Sequence, residues 1–99
     1  MITEIAHIQV SPGKQAAFEA AVAEAVPLFQ RAEGCHAMHL EHSIEQPEHY
    51  RLVISWATLE NHTVDFRESA DFQEWRRLVG GFFAVAPDVG HTKTVLTGF

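Results

Sequence analysis

Apolar residues recur along this chain with two different periods, and the switches between them mark out its elements. Residues 2–10, ITEIAHIQV, are short and β-branched, with Ile2, Ile5, Ile8 and Val10 only partly alternating, and read as a strand. Ser11, Pro12 and Gly13 then turn the chain. From Lys14 to Ala32, Phe18, Val22, Ala25 and Phe29 recur at helical spacing among many alanines, which predicts a long helix. Pro27 inside it removes a backbone donor and predicts a kink or a division near Val26. Gly34 closes that helix, and the period changes to two. His36, Met38, Leu40, His42 and Ile44 fall on one face of a second strand, Cys35 to Ile44, and Ala37, His39, Glu41 and Ser43 on the other. Pro47 lies in a turn, and Tyr50 to Trp56 form a third strand that pairs with the second as a hairpin.

The stretch WATLENHTVDFRESADFQEWRR, Trp56 to Arg77, returns to helical spacing and sets an indole, an imidazole and a guanidinium within a short contour. With Thr58 as N-cap, a helix begins at Leu59, and Leu59, His62 and Phe66 share an inward face. Ser69 caps a second segment on which Phe72, Trp75 and Val79 align while Arg76 lies one position aside. The region therefore reads as a broken or kinked helix that Gly80 and Gly81 end. Pro87 to Gly90 break the chain, and His91 to Thr97 alternate as a fourth strand. The order βαββαβ predicts one α+β domain over residues 1–99, a ferredoxin-like fold with a four-stranded antiparallel sheet and both helices on one face. The other face of the sheet needs a cover, and two sheets packed through a two-fold axis would supply it, so a homodimer is expected.

Size and charge narrow the function. At 99 residues the chain buries roughly two-thirds of the surface it exposes when unfolded, which also favours a partner subunit. A net charge of −6, with no cationic cluster beyond Arg76 and Arg77, argues against nucleic acid as a partner. No apolar run approaches the roughly 18 residues that span a bilayer. The chain opens Met1, Ile2, Thr3, Glu4 with no basic and apolar leader pattern, so a cytoplasmic location is the default expectation. Cys35 is the only cysteine and reads as a small buried side chain.

Ser11-Pro12-Gly13 after the first strand, Glu33-Gly34-Cys35 after the first helix, Trp56 ending the third strand, and Phe66 to Trp75 in the second helical region together resemble the antibiotic biosynthesis monooxygenase-like domains, which form dimeric α+β barrels. The resemblance covers nearly the whole chain. It implies that Trp56 lines a cavity between sheet and helices, and that Arg76 assists oxidation of a phenolic substrate without metal or flavin. His62 stands where actinorhodin-type members carry a tyrosine, and Leu52 where they carry a cavity asparagine. The haem-degrading members have an axial histidine near Arg76, an asparagine near Ala6 and a tryptophan near Phe66; this chain has none of them.

Such an oxygenation needs an electron-rich phenol or quinol whose anion passes an electron to dioxygen, so the protein must supply a base, a cation for the anion and a dry cavity. His62 suits the base, Arg76 the cation and Trp56 a wall for the aromatic ring. Phe66, Trp75, His7 and His91 are candidates for the cavity lining, the two histidines approaching one another on the terminal strands. Arg67 reads as a helix-surface salt-bridge partner, and His49 as a solvated turn residue. Of the seven histidines, His36, His39 and His42 suggest a metal, but alternation puts His39 on the opposite face. No metal or cofactor is expected. Two function classes stay open: a cofactor-independent monooxygenase of a small aromatic, phenolic or quinol substrate with dioxygen, and a non-catalytic dimeric protein that binds a small ligand or serves as an accessory.

Overall fold

The computed structural model describes residues 1–99. Strand β1 (Ile2–Gln9) is followed by helix α1 (Gln15–Gln30), the hairpin β2 (Cys35–His42) and β3 (His49–Trp56), a π-helical turn (Asn61–Phe66), helix α2 (Ala70–Val79) and β4 (Asp88–Thr92). The four strands form one antiparallel sheet in the order β2-β3-β1-β4, the ferredoxin-like arrangement. No helix is long and apolar enough to cross a membrane.

Strand alternation separates the two faces. Glu4, Ala6 and Ile8 from β1, Val10 just past its end, and Tyr50, Leu52, Ile54 and Trp56 from β3 are buried beneath the helices. They meet Phe18, Val22, Ala25 and Phe29 of α1 and Trp75 and Val79 of α2 in a single core. Phe18 packs between Tyr50 and Phe82, with ring centroids 4.9 and 6.3 Å away. The other face, with the register partners Ile5 and Val53, is only partly covered by the chain itself.

Several boundaries differ from the sequence expectation. Helix α1 runs unbroken through Pro27, with Arg31 N–H bonded to the Pro27 carbonyl at 3.2 Å. The carbonyl that loses its donor belongs to Ala23, on the exposed side of the helix, where water can replace the lost bond. In β2 a bulge between Cys35 and Ala37 makes His36 the extra residue. Cys35, rather than His36, therefore shares the inward face with Met38, Leu40 and His42, and Ile44 lies past the strand, 93% exposed. Cys35 is half-buried rather than buried, and His49 begins β3 opposite Gln9 instead of sitting in a turn. The fourth strand is Asp88–Thr92, not 91–97, because its partner runs out: Thr92 pairs with Thr3, and almost no β1 lies beyond it. Val95, Leu96 and Phe99 are left exposed.

Candidate functional site

The segment that follows β3 sets up the site. Thr58 caps the turn as expected: its hydroxyl accepts the Asn61 N–H at 3.1 Å, and Asn61 Oδ1 receives the Thr58 N–H and hydroxyl. The same Asn61 leans on Gly34, whose positive φ of 77° and missing Cβ allow the approach. From Asn61 the helix widens, so that Arg67 N–H reaches back to the His62 carbonyl, an i→i+5 bond. The wider turn carries His62 and Phe66 inward and swings Leu59 out, 40% exposed, which the regular helical spacing misassigned. Ser69 then caps α2 by accepting the Phe72 N–H at 3.2 Å.

His62 is buried and stacks on Trp56, centroids 5.3 Å apart and planes at 20°. Its Nδ1 lies 2.7 Å from Nε2 of His91, and its Nε2 lies 3.3 Å from Oε1 of Glu4. The same Oε1 accepts the indole N–H of Trp56 at 3.0 Å. These contacts set the tautomers. An indole can only donate, so Oε1 is an acceptor, and a carboxylate oxygen 3.3 Å away in ion-pair contact favours an N–H over a lone pair at His62 Nε2. A neutral His62 then has its lone pair at Nδ1, and His91 Nε2–H donates there.

Burial explains the charge states. It pushes the His62 imidazole down from 6.5 to about 4, with the positive charge of Arg67 and the neighbouring His91 adding to the effect. It raises the Glu4 carboxyl, against the Trp56 hydrogen bond and the charge of Arg67, both of which favour the anion. His91 is lowered by burial and by Arg67.

Glu4 and His62 form the floor of a cavity of about 200 Å³ between the inward face of the sheet and α2. Ala6, Ile8, Leu52, Phe72 and Trp75 supply apolar walls, and the guanidinium groups of Arg67 and Arg76 complete it. Arg76 lies 6.0 Å from the centre of the Phe72 ring. Neither Arg67 nor Arg76 belongs to any ion pair, so Arg67 is a cavity residue and not the surface salt-bridge partner expected. Larger clefts lie at the exposed edge of the β2–β3 hairpin, about 300 Å³, and beside α1 and β2, about 340 Å³, but neither contains a buried carboxyl group or imidazole.

Of the residues singled out from the sequence, His62, Arg76 and Trp75 line the cavity, and His91 reaches it through His62. Trp56 is fully buried behind His62 and Glu4, so it orients them instead of walling the cavity. Phe66 sits in the core between Phe29 and Trp56, centroids 4.8 and 5.6 Å away, and forms no part of the cavity wall. His7 lies on the opposite face of the sheet, exposed, because it alternates with Ala6 and Ile8; its register partner on β4 is Asp88, and His91 faces Glu4. Glu4 was missed. Its signal was an acidic residue at an inward position of a β-branched strand, obscured by Ile2 and Ile5, which break the alternation.

Comparison with known proteins places the chain. Residues 1–78 match the family described as antibiotic biosynthesis monooxygenase. The chain superposes on the crystal structure of a candidate antibiotic biosynthesis monooxygenase from Bordetella bronchiseptica with a TM-score of 0.94 and 60% identity, over 96% of this chain and 97% of that one. It is 34% identical over 95 residues to the uncharacterised protein YczJ of Bacillus subtilis, covering 96% of this chain and all of YczJ. The fold is shared with SnoaB, a cofactor-independent oxygenase from Streptomyces nogalater, at a TM-score of 0.84 but only 16% identity, over 98% and 95% of the two chains. The chain belongs to the antibiotic biosynthesis monooxygenase family.

Proposed function

We propose that this member of the family is a cofactor-independent monooxygenase that oxidises a small phenol or quinol with dioxygen. The observation that carries the proposal is the buried chain of proton-bearing groups, His91–His62–Glu4, opening on an apolar cavity that also holds two unpaired guanidinium groups. Removal of the substrate's phenolic proton gives an anion able to pass an electron to dioxygen. A dry, low-dielectric cavity strengthens every charge interaction that stabilises that anion. In the overall reaction one oxygen atom becomes a new carbonyl of a quinone and the other leaves as water. Both hydrogens of that water come from the substrate, which is also the only electron donor the reaction requires.

His62 belongs to the unit that accepts the proton, Arg76 holds the phenolate or peroxide oxygen through charge-assisted hydrogen bonds, and Trp56 fixes the imidazole by stacking on it. Size limits the substrate. An apolar cavity of about 150 Å³ accommodates benzene. One of about 200 Å³ therefore encloses a single substituted ring and leaves a fused system partly outside. The partly covered outer face of the sheet, with Ile5 and Val53 at its middle, supports pairing of two copies through it. Sedimentation at micromolar concentration that gave a monomer mass would remove that part of the proposal.

The test is oxygen uptake by chelator-treated, flavin-free protein with substituted hydroquinones, phenols and naphthols. Uptake should survive chelation and fall by about 10² or more in His62→Ala, the scale for disabling a general base, and also fall in Arg76→Ala. Absence of uptake with every compound would refute the oxygenase reading and leave a ligand-binding protein.

A further inference from the structure

Resting on that oxygenase reading, we infer that Glu4 is a catalytic residue: its Oε2 is the atom that takes the substrate's phenolic proton, while Trp56 holds the carboxyl group through Oε1 beside the His62 imidazole.

The inference starts from which acceptor atoms are free. His62 lines the cavity too, but its Nδ1 is engaged by His91 and its Nε2 lies 3.3 Å from Oε1 of Glu4, where a carboxylate favours an N–H over a lone pair, so it does not turn a lone pair toward a bound phenol. Trp56 has none at all. Glu4 differs. Oε1 accepts the Trp56 N–H and lies 3.3 Å from His62 Nε2, and Oε2 makes no hydrogen bond within the protein. No fully buried side-chain nitrogen or oxygen lacks a partner anywhere in the molecule. Oε2 is therefore the part of Glu4 that the cavity reaches, and it is the acceptor a phenol placed there would meet.

The surroundings suit that task. The Trp56 hydrogen bond to Oε1 and the His62 imidazole packed 3.3 Å from the same oxygen hold the carboxyl group in place, which is what a positioned base requires. Burial raises the proton affinity of the group above that of an ordinary carboxylate, toward that of a phenolate. In the step itself the phenolic O–H bond breaks, an Oε2–H bond forms, and the electron pair stays on the substrate oxygen. Net charge in the site does not change. The negative charge moves from Glu4 to the substrate, and Arg67 and Arg76, both lining the cavity, face it there. A purely structural role explains less. Accepting the Trp56 N–H needs one carbonyl-like oxygen, which a glutamine supplies without the cost of a buried acid.

That difference provides the experiment. 4-Nitrophenol reports its own ionisation by absorbance, and it can be bound under anaerobic conditions so that no oxidation intervenes. The whole protein should bind it with a larger ionised fraction than the free dye has at the same pH. Glu4→Gln keeps an acceptor for Trp56 and His62 and should still bind the dye, with the ionised fraction reduced at least tenfold. Trp56→Phe should act in the opposite direction, because losing the indole N–H makes the Glu4 carboxyl a stronger base; the ionised fraction rises. This second variant decides the matter should Glu4→Gln fail to fold, since loss of structure alone would not raise ionisation.

The groups facing Glu4 are Trp56 and Cys35 from β3 and β2, His62 and Arg67 from the π-helical turn, and His91 from β4, with Arg76 of α2 across the cavity. A pH titration of the bound dye in His62→Gln separates the imidazole from the carboxyl group: ionisation that still falls when Glu4→Gln is added to His62→Gln is expected, and ionisation lost in His62→Gln but kept in Glu4→Gln would make the imidazole the base and overturn the assignment. Glu4→Gln that ionises the dye as the wild type does, a dye that stays protonated in the wild type, or no dye binding would each overturn the assignment. Oxygen uptake measured in parallel keeps the two claims apart. Glu4-dependent ionisation without uptake from any phenol refutes the oxygenase reading alone. Uptake that Glu4→Gln retains in full refutes the role of Glu4 alone.

Discussion

His62→Gln should make the protein's stability less sensitive to acid, by an amount the structure allows to be worked out. The imidazole is held neutral in the fold, its pKa pushed from 6.5 to about 4, while the unfolded chain titrates normally. Between those two values the unfolded state binds a proton that the folded state refuses, so stability rises with pH across that window. The contribution is fully present above 6.5 and is lost as pH falls toward 4. Two and a half pH units at roughly 1.4 kcal/mol each give a span of about 3.5 kcal/mol, of which about 2 kcal/mol is lost between about pH 7 and pH 4.5.

Glutamine does not titrate, so the variant lacks this loss. Other groups act in both proteins. The raised Glu4 carboxyl works in the reverse sense, its stability present below 4.5 and lost as pH rises through its folded value. Glu41 and Asp71, lowered by hydrogen bonds from Arg51 and Arg31, lose their contribution as pH falls below their ordinary range. Subtracting the variant from the wild type removes these shared terms. Urea unfolding of both proteins at about pH 7 and pH 4.5, at one protein concentration, gives the four free energies required. The wild type should lose about 2 kcal/mol more than His62→Gln on acidification. Parallel losses would refute the claim that a buried neutral imidazole exists at this position.

Two stability predictions test how the site is supported. Gly34→Ala adds a Cβ 2.1 Å from Asn61 Oδ1 at a φ of +77°, whereas Gly13→Ala, at φ +80°, meets nothing within 4 Å. Both incur backbone strain, but Gly34→Ala should cost at least about 1 kcal/mol more and weaken the Thr58–Asn61 cap, as thermal unfolding of the two variants will show; equal melting temperatures would contradict the close approach. Phe18→Ala removes a fully buried ring that joins Tyr50 to Phe82 and should cost about 3–5 kcal/mol in denaturant unfolding. A loss below about 1 kcal/mol would mean that the core collapses around the gap.

The fold was legible because its signals are local. The helical spacing of Phe18, Val22, Ala25 and Phe29, the alternation from Met38 to His42, and the capping residues Thr58 and Ser69 each lead to the element observed. The misplaced boundaries are non-local. The extent of β4 depends on where β1 ends, and the face of His36 depends on a bulge set by pairing with β3. The π-helical turn moved Leu59 outward, and neither the spacing nor the cap of that segment distinguishes such a turn from a regular helix.

The site was half legible for the same reason. His62, Arg76 and Trp75 could be found because they share one stretch of chain with an amphipathic pattern. The pairing of His62 with Glu4 and His91 joins residues at opposite ends of the sequence through the register of β1 with β3 and β4. No spacing rule contains that register. Yet one cue was local: in a strand whose inward residues are otherwise Ala6, Ile8 and Val10, the remaining inward position is a carboxylic acid. The 17 buried residues include a single carboxyl group, Glu4, and a single imidazole, His62, and they touch each other. In a small domain an apolar pair of similar volume would often serve stability as well or better. Two titratable groups kept in contact at the floor of the one cavity that contains them are therefore better explained by proton chemistry than by packing.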